Sequence, residues 1–254
     1  MAYTNRTRTL LASTSILAAV VAVWWASSRN LPAIVLPSPW RVLATLCRMA
    51  IDGTIVAQVW HTLARVALSF SIAMGLALLL AFLVSSDKAA MGMLEGLIML
   101  LQSVPSAIWI VLAVIWFGIG GITPIFVVWA IAFPILAVNA VEGVKNVDSA
   151  LVEMGQIFGH GRESIFSNIV LPGMFPHLLS GSRVSFSLSW KVSVIAEVLG
   201  AQNGIGYAIS FAWERLRTDE IFVWAIVIVV LIQAFDRLLF RRLEGRVKRY
   251  DAGH

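Results

Sequence analysis

Long apolar runs dominate this chain, and short polar clusters separate them. The runs fall at 10–26, 63–84, 94–117, 122–141, 178–199 and 221–240. Each is close to the ~20 residues that an α-helix needs to cross ~30 Å of hydrocarbon. A segment in lipid must satisfy its own backbone hydrogen bonds, and a barrel would show short segments of alternating polarity instead of continuous runs. The pattern therefore predicts an all-α membrane protein with six transmembrane helices, whose termini lie on one side.

The first run has the positive and apolar regions of a signal peptide, but no Ala-x-Ala pattern precedes Arg29, so a retained anchor is expected. Between the first two runs lies LPSPWRVLATLCRM. Pro37 and Pro39 break the chain, and Ser38 can cap a short helix with Leu43, Leu46 and Cys47 along one side. It reads equally as a helix on the outer surface or as an ordinary structured loop. No internal repeat or low-complexity segment is evident. The expected organisation is an anchor and periplasmic surface segment over 1–61, a core transmembrane domain over 62–240, and a basic cytoplasmic tail over 241–254.

Composition agrees with the pattern. The 254 residues are 59% hydrophobic and 13% charged, whereas a soluble domain carries about 25% charged residues. Membrane lipid is thus the expected surrounding. The net charge of +5 does not indicate nucleic acid, because the cations sit between apolar runs with no basic face interleaved with aromatics. They read as topology signals. One face collects Arg6, Arg8, Lys88, Lys145, Arg162 and the arginines and lysines of 237–249; the other holds only Arg29, Arg41, Arg48, Arg215 and Arg217. The richer face is expected to be cytoplasmic, and both termini with it. Trp24, Trp25, Trp60, Trp116 and Trp224 fall near the expected outer ends. Cys47 stands alone and offers neither a disulfide nor a redox pair.

The stretch EMGQIFGHGRESIFSNIVLP, 153–172, is the least apolar part of the interior. Asp148 can cap a helix that carries Leu151, Met154 and Phe158 at helical spacing and ends at Gly159 and Gly161. A second short helix from Arg162 presents Ile165, Phe166 and Ile169, and Pro172 predicts a break before the fifth span. An apolar stripe on a cytoplasmic loop needs a partner.

These residues resemble the cytoplasmic signature of the membrane subunits of ATP-binding cassette importers, the binding-protein-dependent permeases. That signature reads Glu-Ala-Ala, three residues, Gly, nine residues, Ile, one residue, Leu-Pro. Here Glu153, Gly159, Ile169, Leu171 and Pro172 stand at that spacing, and Met154-Gly155 replace Ala-Ala, which is expected to loosen the docking face. LPSPWRVL, HTLARVALSF, VPSAIWIVLAVIWFGIG and GSRVSFSLSWKVSVIAEVLGAQNGIGYAI resemble the sulfonate, taurine, nitrate and bicarbonate branch. The resemblance implies a multi-pass protein of the bacterial inner membrane in which 142–177 holds a coupling helix. Glu153, Met154, Gly155, Gly159, His160, Ile169, Leu171 and Pro172 would then meet the ATPase. It also implies two ATPase subunits, a second permease copy, most simply as a homodimer, and a periplasmic or lipid-anchored solute-binding protein. No Lys is followed by Ser or Thr, so the chain has no G-x-x-x-x-G-K-[ST] phosphate loop. ATP and Mg would be bound by the ATPase, with no cofactor in this chain and no catalysis of its own.

Candidates for the substrate path come from polar residues inside spans. Arg183 and Lys191 are eight residues apart on the fifth span and can share a broad face. Together they admit an anion path. Arg65 and Arg183 lie near predicted ends and could equally snorkel; Lys191 could equally pair with Glu197 at a dimer seam. Glu197 is a candidate for gating, for the seam or for substrate contact. Ser103, Pro105, Ser106 and Trp109 form a bent polar patch in the third span, suited to the path or to close packing, and Asn139 can bond across helices. His61, His160, His177 and His254 are scattered without metal-ligand spacing. Small oxyanions fit the branch and the basic residues, while similar permeases carry neutral or aromatic vitamin precursors. Two other classes compete. An intramembrane hydrolase would need an acid and an oxyanion site beside His177 and the serines of LSGS. A secondary transporter would need a carboxylate relay, and Glu197 stands nearly alone within the spans.

Overall fold

The computed structural model describes residues 2–85, 87–235 and 237–238; the basic tail of 241–254 lies outside them. The described chain is helical throughout: α1 (Ala2–Asn30), α2 (Pro39–Ile51), α3 (Thr54–Val84), α4 (Lys88–Gln102), α5 (Ser106–Phe117), α6 (Ile122–Lys145), α7 (Ser149–Ile157), α8 (Arg162–Ile165), a π-helical turn (Phe166–Val170), α9 (Leu171–Gly200), α10 (Ile205–Glu214) and α11 (Thr218–Phe235).

Among the described residues α3, α6 and α11 are each long and apolar enough to cross a membrane. Two bent pairs pass the same test together: 89–102 with 106–117, bent by 84°, and 162–200 with 205–214, bent by 48°. The third expected run is therefore two helices. Pro105 has no N–H and drives Val104 out of the helical region, so α4 stops at Gln102 and α5 restarts at Ser106.

The chain divides into two compact units, each taken over its described residues: Met1–Ala57 with Ala208–Ile228, and Gln58–Tyr207 with Val229–His254. In the first, Ser38 caps α2 by accepting from the Arg41 N–H at 3.4 Å, with Pro39 in the first turn. The buried side of α2 is Val42, Thr45 and Met49, while Leu43 and Cys47 are exposed. The expected stripe is thus rotated, because Thr45 Oγ1 donates to the buried Asp219 Oδ2 at 2.7 Å and Arg48 meets Glu220 at 3.4 Å. These contacts fix which side of α2 faces the start of α11. Trp24 stacks on Phe222 at 5.5 Å and donates to the Pro37 carbonyl at 3.0 Å.

The second unit is built on α6 against α9. Gly143, Gly181 and Gly200 sit where a Cβ would lie 2.7 Å from Met174, 2.5 Å from Asn139 and 2.6 Å from Thr123. Small residues at these positions let the two backbones approach, as helix packing in lipid requires. Ser185, Ser189 and Ser193 are buried along the same side of α9, and Ser189 bonds back to the Ser185 carbonyl at 2.8 Å. Ala73, Ala77, Ile98, Ala132, Phe133 and Leu136 form one core cluster of α3, α4 and α6. Many large apolar side chains face outward, among them Met93 (79% exposed) and Ile115 (69%), a surface that lipid or further chains would cover.

Candidate functional site

The side chain of Asp148 accepts from the Ala150 N–H at 2.9 Å and starts α7. The helix ends in a Schellman motif. The His160 N–H bonds to the Gly155 carbonyl and the Gly159 N–H to the Gln156 carbonyl, both at 3.0 Å, with Gly159 in the left-handed region at φ +76°. Leu151, Met154, Ile157 and Phe158 are all exposed, with Ile157 84% and Phe158 74% accessible, and Glu153 and His160 are exposed beside them. A helix of nine residues and its C-cap Phe158 thus present four large apolar side chains outward.

Gly155 does not belong to that surface. It is buried, and a Cβ on it would lie 3.2 Å from Ile165 and 3.3 Å from Ile169. The glycine in place of the second alanine lets α7 press onto the helix that follows, so the departure from Ala-Ala is split, with Gly155 on the inner side and Met154 on the outer one. Ile169 and Leu171 are half-buried and pack against the cluster of Val141, Val144, Ile165 and Met174.

Pro172 does not break the chain. The helix runs on from Arg162 to Gly200 through the π turn, where the Leu171 N–H reaches the Phe166 carbonyl five residues back. The wider turn accommodates a proline, which cannot donate and crowds the preceding turn. The second short helix is therefore the leading end of α9. A cleft of about 810 Å³ opens beside it, lined by Lys145, Glu153, Gln156, His160 and Arg162 with apolar residues beneath. Lys145 is paired with Glu95.

The polar candidates farther along α9 divide into two groups. Lys191 is exposed, on a stripe with Val184, Ile195 and Leu199, and Arg183 is half-buried beside a pocket of about 160 Å³ lined by Phe186, Trp190 and Phe235. Glu197 is fully buried. It accepts from Arg65 Nη1 at 2.8 Å, from Thr62 Oγ1 at 2.9 Å and from the Gly206 N–H at 3.0 Å. Arg65 is buried too and also holds the Asn203 carbonyl at 2.8 Å and its side-chain oxygen. The Gly204 N–H donates to Gln58 at 2.7 Å and the Ile205 N–H to Thr62 at 2.9 Å. Arg65 therefore takes the pairing with Glu197 that was one alternative for Lys191, and it is buried rather than snorkelling. Gln58, Thr62 and Asn203 escaped the sequence reading; the turn signal Asn203-Gly204 was the one available clue.

Ser103 is exposed at the break between α4 and α5, where it bonds back to the Met99 carbonyl, and Trp109 is half-buried against Phe126 with ring centroids 6.1 Å apart. Asn139 bonds within its own helix, to the Ile135 carbonyl at 2.8 Å. Among the described residues no three His, Cys, Asp or Glu side chains converge as a metal site.

Residues 73–249 match the model of the family described as "Binding-protein-dependent transport system inner membrane component". The taurine transport system permease protein TauC of Escherichia coli (strain K12) is 30% identical over 247 residues, covering 94% of this chain and 90% of that protein. The putative aliphatic sulfonates transport permease protein SsuC of the same strain is 37% identical over 136 residues, covering 53% of this chain and 51% of that protein. A solved structure described as an amino acid ABC transporter with histidines shares the fold, with a TM-score of 0.60 at 17% identity, and covers 81% of this chain and 97% of that one. With its helical fold and the signature at 153–172, the chain belongs to the family of binding-protein-dependent transport system inner membrane components, the permease subunits of ATP-binding cassette importers.

Proposed function

We propose that two copies of this chain form the translocation path for a small organic or inorganic oxyanion, of the sulfonate, taurine, nitrate or bicarbonate class. A solute-binding protein delivers the anion on the outer side, and two ATPase subunits drive transport from the cytoplasm. Six helices cross the membrane: α1, α3, the bent pair α4–α5, α6, the α9–α10 run and α11. Both termini and α7 are cytoplasmic. ATP and Mg belong to the ATPase, and this chain needs no cofactor.

The observation that carries this reading is the outward apolar surface of α7. Leu151, Met154, Ile157 and Phe158 are exposed on a helix pinned from behind through Gly155 and ended by Gly159. Such a knob fits a cleft in the ATPase, with Glu153 and His160 at its rim and Ile169, Leu171 and Pro172 bracing it from the α9 side. The exposed stripe of Lys191 on α9 faces the path, and Arg183, Ser103 and Trp109 are its companions. Glu197 anchors the outer end of α9 rather than meeting the anion.

The test is co-purification with the ATPase together with ATP-driven uptake in proteoliposomes. Gly159→Val places a β-branched residue at φ +76° and is expected to abolish ATPase association with the permease still inserted. Glu153→Lys is expected to act more mildly, since an exposed ion pair is worth about 0 to 1 kcal/mol. Normal association and uptake in both variants would sink the assignment of α7.

A further inference from the structure

The last turn of α3 presents carbonyls that have no partner within the helix. The Val84 carbonyl accepts from the Asp87 N–H at 3.0 Å and the Phe82 carbonyl from Ser85 Oγ at 2.8 Å. Arg162 supplies the rest. Its Nη2 donates to the Phe82 and Leu83 carbonyls, both at 2.7 Å, and its guanidinium carbon lies 4.9 Å from the centre of the Phe82 ring. Arg162 opens α8, where the N-terminal end of the helix dipole disfavours a cation. Its head group lies instead at the C-terminal end of α3, where the dipole favours one. One turn on, Phe166 packs edge-on against the same Phe82 ring at 5.0 Å.

The leading end of the α9 run therefore grips the trailing end of α3 through charge-assisted hydrogen bonds and a ring contact. Arg65, in the first half of α3, is also joined to Glu197 near the end of α9 at 2.8 Å, and Phe70 meets Phe186 between the two contacts at 5.5 Å. The two helices run antiparallel and are fastened at three places along their shared length.

We propose that Arg162 is a positioning residue for energy coupling: it makes the end of α3 move with α7 and the start of α9, so that an ATPase-driven displacement of α7 reaches both long helices together. The proposal rests on the reading of α7 as the ATPase-docking element. Arg162 acts on the permease side of that element, through α3. A guanidinium suits the task because it is planar, stays charged and can lie on the Phe82 face while donating in its own plane, which an ammonium cannot do.

The experiment uses the full transporter, permease with ATPase and binding protein, in proteoliposomes. Its readouts are ATPase co-purification and substrate taken up per ATP hydrolysed. Arg162→Gln is expected to keep the ATPase bound while uptake per ATP falls about tenfold, the scale of one lost charge-assisted hydrogen bond. Arg162→Lys should recover part of that loss, because its charge still serves the end of α3. Should Arg162→Gln fail to insert, Phe82→Leu removes the ring face while leaving the carbonyls and the cation, and an uptake per ATP reduced about two- to threefold is expected from a lost cation–π contact. Unchanged uptake per ATP in Arg162→Gln, or in Phe82→Leu where that variant is needed, would overturn the proposal. Loss of the ATPase from Arg162→Gln would overturn it differently, by making Arg162 an ATPase contact. The underlying reading fails separately, through a Gly159→Val variant that binds ATPase and transports normally.

Discussion

Glu197 shows how a single residue can be conspicuous in a sequence and still withhold its role. A carboxylate in an apolar run must find a partner, but the run itself names none. Lys191 is six residues away and exposed; Arg65 is 132 residues away in sequence and 2.8 Å away in space. The Arg65 guanidinium, the Thr62 hydroxyl and the Gly206 N–H divide the carboxylate oxygens among them, and the glycines of 204 and 206 leave the room. A Cβ at Gly204 would lie 2.5 Å from the Glu197 carboxylate, and one at Gly206 would lie 2.1 Å from the Val194 carbonyl. Removing one member of a buried pair strands the other, at about 3 to 5 kcal/mol. Arg65→Met is therefore expected to lower the unfolding temperature in detergent sharply. Adding Glu197→Leu should restore part of the loss, but only part, because the Gly206 N–H is then left without its acceptor. If the double variant is less stable than Arg65→Met alone, the cluster is not the ion-pair-centred anchor described here.

At the scale of elements, α7 was legible because its signals are local: Asp148 caps the start, apolar residues recur at helical spacing, and Gly159 takes the left-handed end. The break expected at Pro172 was not legible as a continuous helix. Proline constrains a donor and the preceding turn, and a sequence does not say whether a chain break or a π turn relieves that constraint. The 84° bend at Pro105 belongs to the same class of signal with the opposite outcome. The α6–α9 seam was not legible in the sequence, since nothing around Gly143 and Gly181 tells which side chains stand opposite them. Gly143→Val and Gly181→Val are expected to destabilise by about 1 to 3 kcal/mol through overpacking, read as lower yield of folded protein and a lower unfolding temperature. Gly96→Ala in α4 meets nothing within 4 Å and is the control; it should be neutral or gain up to about 1 kcal/mol. Equal loss in all three would show that the close approach does not set the cost at the seam.

For the whole molecule, the proposed sidedness rests on the distribution of Lys and Arg, a signal written for the insertion machinery rather than for packing. The structure adds a constraint that the charge rule lacks. Arg162, Lys145 and the end of α3 gather at one end of the second unit, and the anchor of Arg65, Glu197 and Asn203 lies at the far end of α9, against the first half of α3. If the α9 run crosses the membrane, its two ends should therefore label from opposite sides. Cys47 is exposed and would itself react, so it is first replaced in Cys47→Ser. In that background Ser167→Cys and Gln202→Cys put thiols at exposed positions near the two ends of the α9 run. A membrane-impermeant maleimide applied to spheroplasts should label Gln202→Cys at once and Ser167→Cys only after the membrane is opened, while the unmodified chain should be labelled at Cys47 from outside. The reverse pattern would put α7 outside the cell, away from any ATPase, and the coupling assignment would fall with the charge argument. Labelling of both thiols from outside would instead show that the α9 run does not cross the membrane.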